Sequence, residues 1–143
     1  MPAAFEASGR LAVRQGDRSD IAKLRWTHAR GSDLWVISSP LGNEVARLEA
    51  GANGATLTRA GAAPESAESF QAITEKLLGI ALDPRVVAGW LHGNAPAATP
   101  GDWRVSIDET QRAGSVDLAR RITATRGDTV VRLVVDEYRP LEE

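Results

Sequence analysis

Apolar and polar residues alternate along most of the N-terminal half of the chain. In segment 6–14, one face carries Ala7, Gly9, Leu11 and Val13, and the other face carries charged and polar residues. This period of two is typical of a β-strand with one buried face. Further strand patterns, separated by polar turns, occupy 21–27, 34–38, 45–49 and 55–59. Strands at a spacing of about ten residues predict an antiparallel sheet that curls.

The hydrophobic period lengthens after Pro64. Ser66 is expected to cap a first helix, with Glu68 in its first turn and a stop at Gly79. The apolar residues of this helix recur at helical spacing and are Phe70, Ile73 and Leu77. The segment therefore predicts a short amphipathic helix that needs an apolar surface to cover.

A second helix is predicted to begin at Asp83-Pro84, with aspartate as the N-cap and proline in the first helical position. Its apolar face consists of Val86, Val87, Trp90 and Leu91. Gly93 is expected to end it, and a loop rich in alanine, proline and glycine is expected over 94–102. This helix and its loop are candidates for a moving lid, which glycines 89, 93 and 101 would permit.

Strand patterns return in the C-terminal third. Alternation marks 103–108, 116–122 and 129–138, although Arg120 shares a face with apolar residues of the second of these segments. The order of strands, two helices and strands has no internal repeat and no dividing linker. It predicts a mainly β member of the α+β class, with one domain over 1–143 and both helices on one side of an antiparallel sheet.

Composition narrows the functional classes. With 43% apolar and 25% charged residues among 143, the chain suits an ordered domain with its own core. The net charge is −2 and the 17 basic residues are scattered, so no nucleic-acid partner is expected. No segment approaches the roughly 20 apolar residues of a membrane span, and the N-terminus lacks signal-peptide features. The absence of cysteine excludes disulfides, thiolate zinc sites and cysteine nucleophiles.

Candidate chemistry is sparse. The two histidines, His28 and His92, each end an element, and we expect both to be solvated rather than catalytic because no nucleophile motif accompanies them. The acidic pairs 108–109 and 136–137 are adjacent in strands and therefore point to opposite faces, which argues against a metal site. Glycines 51 and 54 lack the features of a phosphate loop. We expect neither an enzyme nor a cofactor nor a metal.

The apolar face of the curled sheet leaves two alternatives open. An incompletely filled sheet would leave a cavity lined by its inward side chains. The candidates are Leu11, Val13, Leu24, Trp26, Trp103, Val105, Val131, Leu133 and Val135. The same residues would equally serve as a dry core packed against the helices, and periodicity alone favours that second interpretation.

Several short motifs, in order along nearly the whole chain, resemble the outer-membrane lipoprotein LolB family. They are F-E-A-S-G-R-L-A-V at 5–13, L-R-W at 24–26, S-P-L-G at 39–42, L-L-G at 77–79, W-L-H-G at 90–93 and V-V-R-L-V-V-D at 130–136. The resemblance implies an incomplete, strongly curved antiparallel β-barrel with helices covering an apolar cavity. It also implies an outer-membrane receptor that accepts triacylated lipoproteins from a LolA-like periplasmic carrier and inserts them into outer-membrane lipid.

The resemblance extends the candidate cavity and assigns an insertion loop. To the residues above it adds Leu34, Val36, Ile73, Leu77, Trp90 and Leu91. Family members carry a protruding loop with an exposed apolar residue, and Pro40, Leu41 and Gly42 match its position. Ser39-Pro40-Leu41-Gly42 suits a type I turn, which would hold Leu41 outward. A monomer is expected.

The chain departs from the family pattern at its start. The family is anchored by a lipid on an N-terminal cysteine, and this chain has no cysteine. We expect a truncated soluble form of a protein on the periplasmic face of the outer membrane, with Met1 as an introduced start. The alternative functions are a soluble periplasmic lipid or lipoprotein carrier and a structural or interaction domain with a filled core.

Overall fold

The computed structural model describes residues 2–93 and 102–141, which form nine strands and two helices. Five strands of alternating pattern come first, followed by a short sixth strand, the two helices and three long strands. The elements are β1 Phe5–Gln15, β2 Arg18–Ala29, β3 Ser32–Ser38, β4 Glu44–Gly51, β5 Gly54–Arg59, β6 Glu65–Ala67, α1 Phe70–Leu78, α2 Pro84–Leu91, β7 Arg104–Ala113, β8 Val116–Arg126 and β9 Thr129–Pro140.

All nine strands belong to one antiparallel sheet in the order β6-β5-β4-β3-β2-β1-β9-β8-β7. The first and last strands pair in its middle, where Phe5 lies opposite Pro140 and Gln15 opposite Thr129. Strands β6 and β7 form the two edges, and the chain segment between these edges carries both helices. The predicted mainly β fold with an open, curved antiparallel sheet is confirmed.

One face of the sheet and both helices share a single hydrophobic core. Inward residues of β1, β2, β3, β4, β8 and β9 are buried in it, together with Phe70 and Ile73 of α1 and Val87, Trp90 and Leu91 of α2. Helix α1 lies against β4, β5 and β6, whereas α2 lies against β8. The helices therefore cover the sheet near its two open edges.

The first helix begins later than its sequence pattern predicted. Ser69, not Ser66, is the N-cap, and its Oγ accepts a hydrogen bond from the amide of Ala72 at 3.2 Å. Ser66 lies in β6 opposite Thr56, and Glu68 precedes the helix. The prediction for Ser66 is wrong because the pairing of β6 with β5 extends the strand region up to Ala67.

The predicted stop of α1 and the predicted start of α2 agree with the structure, whereas α2 ends at Leu91 with His92 as its C-cap, just before the predicted stop at Gly93. Helix α1 stops at Gly79, whose φ of 78° is left-handed and whose amide donates to the carbonyl of Glu75. Helix α2 is capped by Asp83, which accepts from the amide of Arg85 at 2.9 Å, and Pro84 is its first residue. The predicted loop over 94–102 lies outside the described residues except for Asp102.

A β-bulge explains how Arg120 avoids the core. The β7–β8 register passes from Glu109 opposite Arg121 directly to Thr110 opposite Ala119, so Arg120 has no cross-strand partner. Leu118 and Ala119 are consequently both buried, which strict alternation would forbid. The freed Arg120 guanidinium lies 3.3 Å from a carboxylate oxygen of Glu109.

Candidate functional site

The turn between β3 and β4 holds a leucine away from the protein. The amide of Gly42 donates to the carbonyl of Ser39 at 2.8 Å, which closes the expected four-residue turn. The amide of Ser39 donates to the carbonyl of Asn43 at 2.8 Å, and the Ser39 Oγ accepts from the amide of Asn43. With its base fixed in this way, the turn leaves the Leu41 side chain 91% exposed.

Two further exposed apolar side chains lie at the same end of the sheet. Among the described residues, the large apolar side chains that are exposed are Leu41, Ile21 at 63% and Val45 at 43%. Ser38, the last residue of β3, pairs with Lys23 of β2 and with Glu44 of β4. Ile21 lies two residues beyond Lys23 in the direction of the turn, and Val45 is next to Glu44. The apolar rim, defined as Ile21, Leu41 and Val45, is therefore a feature of one end of the sheet.

The described side chains leave little space between the sheet and α2. An internal void of about 10 Å³ lies between the sheet and α2. Its lining residues are Leu11, Leu24, Trp35, Leu82, Val87, Trp90, Ile122, Val131 and Leu133. A void of this volume is close to the minimum for one water molecule, so an acyl chain does not fit without movement of the surrounding elements.

Most of the predicted cavity residues lie in the core around this void. Leu11, Leu24, Trp90, Val131 and Leu133 line it directly. The core also includes Val13, Trp26, Ile73, Leu91, Trp103 and Val135, and Leu77 and Val105 pack against it partly buried. Sequence reasoning missed Trp35, Leu82, Val87 and Ile122 as lining residues, although their apolar character and helical or strand spacing were visible.

Two of the predicted cavity residues lie on the other face of the sheet. Leu34 pairs with Thr27 and Glu49, whereas Val36 pairs with Arg25 and Arg47. Trp35, which lies between them, faces inward, opposite Trp26 of β2 and Leu48 of β4. The prediction that Leu34 and Val36 face the cavity is therefore wrong, because the apolar run 34–37 supplies both faces of the strand. Val36 is nevertheless buried, at 6% exposure, on the outer face.

A row of aromatic rings connects the sheet to α1. Phe5 meets Trp26 edge to face at 5.0 Å between ring centroids, Trp26 meets Trp35 at 5.6 Å, and Trp35 meets Phe70 at 5.0 Å. Edge-to-face pairs at such separations are favourable beyond the area they bury. Tryptophan fluorescence will consequently report on the fit between this helix and the sheet.

Both histidines pack against Phe5, so the expectation that they are solvated is wrong. The carboxylate oxygen Oδ1 of Asp33 lies 2.8 Å from Trp26 Nε1 and 2.8 Å from His28 Nδ1. The His28 and Asp33 side chains are only 14% and 10% exposed. His28 and Phe5 stack at 5.1 Å between centroids. This cluster ties β1, β2 and β3 together and has the character of a structural network.

The second histidine closes α2 onto the last strand. His92 Nδ1 lies 2.8 Å from the carbonyl of Ala88 and therefore carries the proton, which leaves Nε2 to accept from the Tyr138 hydroxyl at 2.7 Å. Burial lowers the pKa of His92 below its ordinary value of 6.5, against a smaller opposing effect of the Ala88 carbonyl. Burial also raises the pKa of Tyr138 to about 12.

Two tryptophans differ from the rest of the core in their polar contacts. The indole Nε1 atoms of Trp35 and Trp90 are buried and have no hydrogen-bond partner among the described residues. By contrast, the indole of Trp26, equally buried, donates to Asp33. Both unpartnered indoles line the internal void, Trp35 from β3 and Trp90 from α2.

Metal-binding clusters and membrane-spanning helices are not found in the part of the chain that the structure describes. Within 2–93 and 102–141, no group of three or more potential metal-ligating side chains is assembled. No helix in those ranges has the length and apolar character needed to cross a membrane.

Comparison with known proteins gives a consistent result. The family model described as outer membrane lipoprotein LolB matches residues 3–138 of this chain. The outer-membrane lipoprotein LolB of Chromobacterium violaceum is 31% identical over 150 residues, which cover 96% of this chain and 81% of that protein. That of Azoarcus sp. (strain BH72) is 26% identical over 155 residues, covering 98% and 80%.

Solved structures give a further comparison. The crystal structure of LolA superfamily protein NE2245 from Nitrosomonas europaea matches with a TM-score of 0.49 at 7% sequence identity. The match covers 99% of this chain and 88% of that chain.

Proposed function

Since this chain belongs to the outer-membrane lipoprotein LolB family, we propose that it is a lipoprotein receptor at the periplasmic face of the outer membrane. In this proposal it accepts triacylated lipoproteins from a LolA-like carrier, holds their acyl chains beneath its helices, and inserts them into outer-membrane lipid. Its work is binding and transfer rather than catalysis, and it acts as a single domain and as a monomer.

The observation that carries the insertion step is the exposure of Leu41. The Leu41 side chain is 91% exposed on a hydrogen-bonded turn. Its transfer from water into lipid would be favourable by about 1.5–3 kcal/mol of free energy. That gain is too small for stable anchoring by itself. The other members of the apolar rim, Ile21 and Val45, add apolar area at the same end of the sheet, so the whole rim is suited to brief contact with a bilayer.

The small void between the sheet and α2 determines how acyl chains would enter. Because the void holds about 10 Å³, the chains must replace existing contacts between the sheet and the helices. Helix α2 is the element most suited to move, since it contributes Val87 and Trp90 to the void and lies mainly against β8. Its apolar face would exchange contact with the sheet for contact with lipid, at a small net change in exposed apolar area.

Transfer in one direction requires only that affinity rises along the route. A lipoprotein that binds this receptor more tightly than the carrier, and the membrane more tightly than the receptor, moves without an energy source. A closed interior is consistent with this scheme, because re-forming the core after release helps to expel the acyl chains.

The second candidate function is an interaction domain with a permanently filled core. The small internal void is the observation that favours it. It differs from the receptor in one measurable respect, since it predicts no binding of lipopeptides under any condition.

The test is binding of a triacylated lipopeptide, followed by tryptophan fluorescence, and its release into liposomes. The parent protein, Leu41→Glu and Ala52→Glu are compared. Ala52 is exposed in the turn between β4 and β5, at the opposite end of these strands, and is a matched control for the added charge.

We expect all three proteins to bind the lipopeptide and Leu41→Glu alone to release it poorly, because a charge on the turn opposes contact with lipid. Equal release by all three proteins would contradict the insertion role of Leu41. Absence of binding by the parent would reject the receptor and favour the interaction domain.

A further inference from the structure

Two of the side chains that line the void between the sheet and α2 carry an indole N–H without an acceptor among the described residues. Seven of its nine lining side chains are aliphatic, and the other two are the indoles of Trp35 and Trp90. Trp35 is 1% exposed and Trp90 is 3% exposed. Each indole Nε1 lies without a hydrogen-bond partner among the described residues.

An unpartnered buried donor is unfavourable, because it has lost its bond to water without gaining another. The chain does pair an indole elsewhere in the same core, where Trp26 donates to Asp33. A phenylalanine at position 35 or 90 would fill similar space without leaving an N–H unpaired. The two donors are thus best explained by a partner that is present in another state of the protein.

The position of the donors indicates the chemistry of that partner. One indole belongs to the sheet and the other to the helix, so a ligand that separates the two elements would lie between them. The ligand must be apolar enough to replace contacts with leucine, valine and isoleucine side chains, and must carry hydrogen-bond acceptors. Acyl chains joined through ester and amide carbonyls meet both requirements, whereas plain hydrocarbon meets only the first.

We propose that the indole N–H groups of Trp35 and Trp90 donate hydrogen bonds to the ester or amide carbonyls that link the acyl chains to the bound lipoprotein. This assignment rests on the proposed receptor function and deepens it. The aliphatic lining accepts chains of any kind, and the two indoles recognise the carbonyl linkages. They would thereby fix how deeply the chains enter the protein.

The test compares two lipopeptides of equal chain length, one with ester-linked acyl chains and one in which ether links replace the esters. The parent protein should bind the ester form about twofold to tenfold more tightly for each hydrogen bond formed. Trp35→Phe and Trp90→Phe should each reduce this preference. Phe5→Leu changes a core side chain that does not line the void and whose ring contacts are with Trp26, His28, His92 and Tyr138, so it should leave the ratio of affinities unchanged.

A second measurement uses the unmodified protein, so that it is informative even where a variant folds poorly. The four tryptophans give four indole N–H signals in a proton–nitrogen NMR spectrum. Those of Trp35 and Trp90 should move downfield with the ester lipopeptide, and that of Trp26, already bonded to Asp33, should not.

The outcomes separate the two proposals. Equal affinity for the two lipopeptides, with unmoved Trp35 and Trp90 signals, would overturn the assignment of the indoles and leave the receptor function intact. Absence of binding of either lipopeptide would overturn the receptor function and the assignment with it.

Discussion

Replacing Gly9 by alanine should destabilise the protein strongly, because a methyl group at this position would meet the backbone of the neighbouring strand. An ideal Cβ on Gly9 would overlap the carbonyl oxygen of Val134 and would lie 2.8 Å from the carbonyl carbon of that residue. It would also lie 3.1 Å from the Cα of Val135. The close approach coincides with a bulge, since Ser8 pairs with Glu137 and Gly9 with Val135.

The magnitude follows from what must move. Overpacking in a folded core typically costs about 1–3 kcal/mol, and here the obstacle is backbone in the central β1–β9 pair rather than a side chain that can rotate. We therefore expect a loss of about 3 kcal/mol in the free energy of unfolding. For a domain of this size that corresponds to a fall of about 6–12 °C in Tm.

The assay is urea unfolding and thermal unfolding followed by circular dichroism, with Gly89→Ala as the matched control. Gly89 lies inside α2, and a Cβ there meets nothing within 4 Å. The same substitution should therefore stabilise the protein by about 0.5–1 kcal/mol through helix propensity. A Gly9→Ala protein as stable as the parent would refute the close approach of β1 and β9.

Two further predictions concern the buried polar groups. Asp33→Ala should lower the free energy of unfolding by about 1–3 kcal/mol, because it leaves the buried indole of Trp26 without an acceptor. Asp33→Asn keeps an acceptor oxygen and should recover part of this loss. Equal midpoints of urea unfolding for the two variants would contradict this prediction. Because the pKa of His92 is lowered in the folded state, the unfolded chain binds more protons, so stability should fall as pH drops below about 6.5 and be insensitive to this group at higher pH. Urea midpoints measured between about pH 5 and 8 should show a weaker slope in His92→Gln, and an unchanged slope would assign the dependence to another group.

The alternation of side chains was sufficient to predict most of the sheet. A strand with one buried face must alternate, so seven strands left a visible pattern over at least five residues, and β3 was recognised from its continuous apolar run 34–37. Strand β6 was missed because three residues are too few to show a period. The helix start was misplaced because Ser66 and Ser69 are both good caps, and only the pairing of Ser66 with Thr56 decides between them.

The candidate site was less accessible to sequence reasoning. The turn residues 39–42 and the exposure of Leu41 follow from local geometry, so they could be anticipated. In the apolar run 34–37, either the even-numbered or the odd-numbered residues could face inward. Only the pairing of Trp35 with Trp26 and Leu48 shows that the odd-numbered residues do so. The volume left between sheet and helices depends on how all core side chains pack together, which no local pattern contains.

The pairing of β1 with β9 has a consequence for the order in which the protein folds. The described chain begins and ends in the middle of its sheet, where the amide of Leu141 donates to the carbonyl of Ala4, and Arg10 meets Asp136 across 126 positions of sequence. Each meander on either side can form from neighbouring hairpins, but the join between them requires closure of almost the entire chain, which is a slow step. Until that closure, both halves present a long unpaired strand edge, so nascent chains are most vulnerable to association at the strands that later form the centre of the sheet.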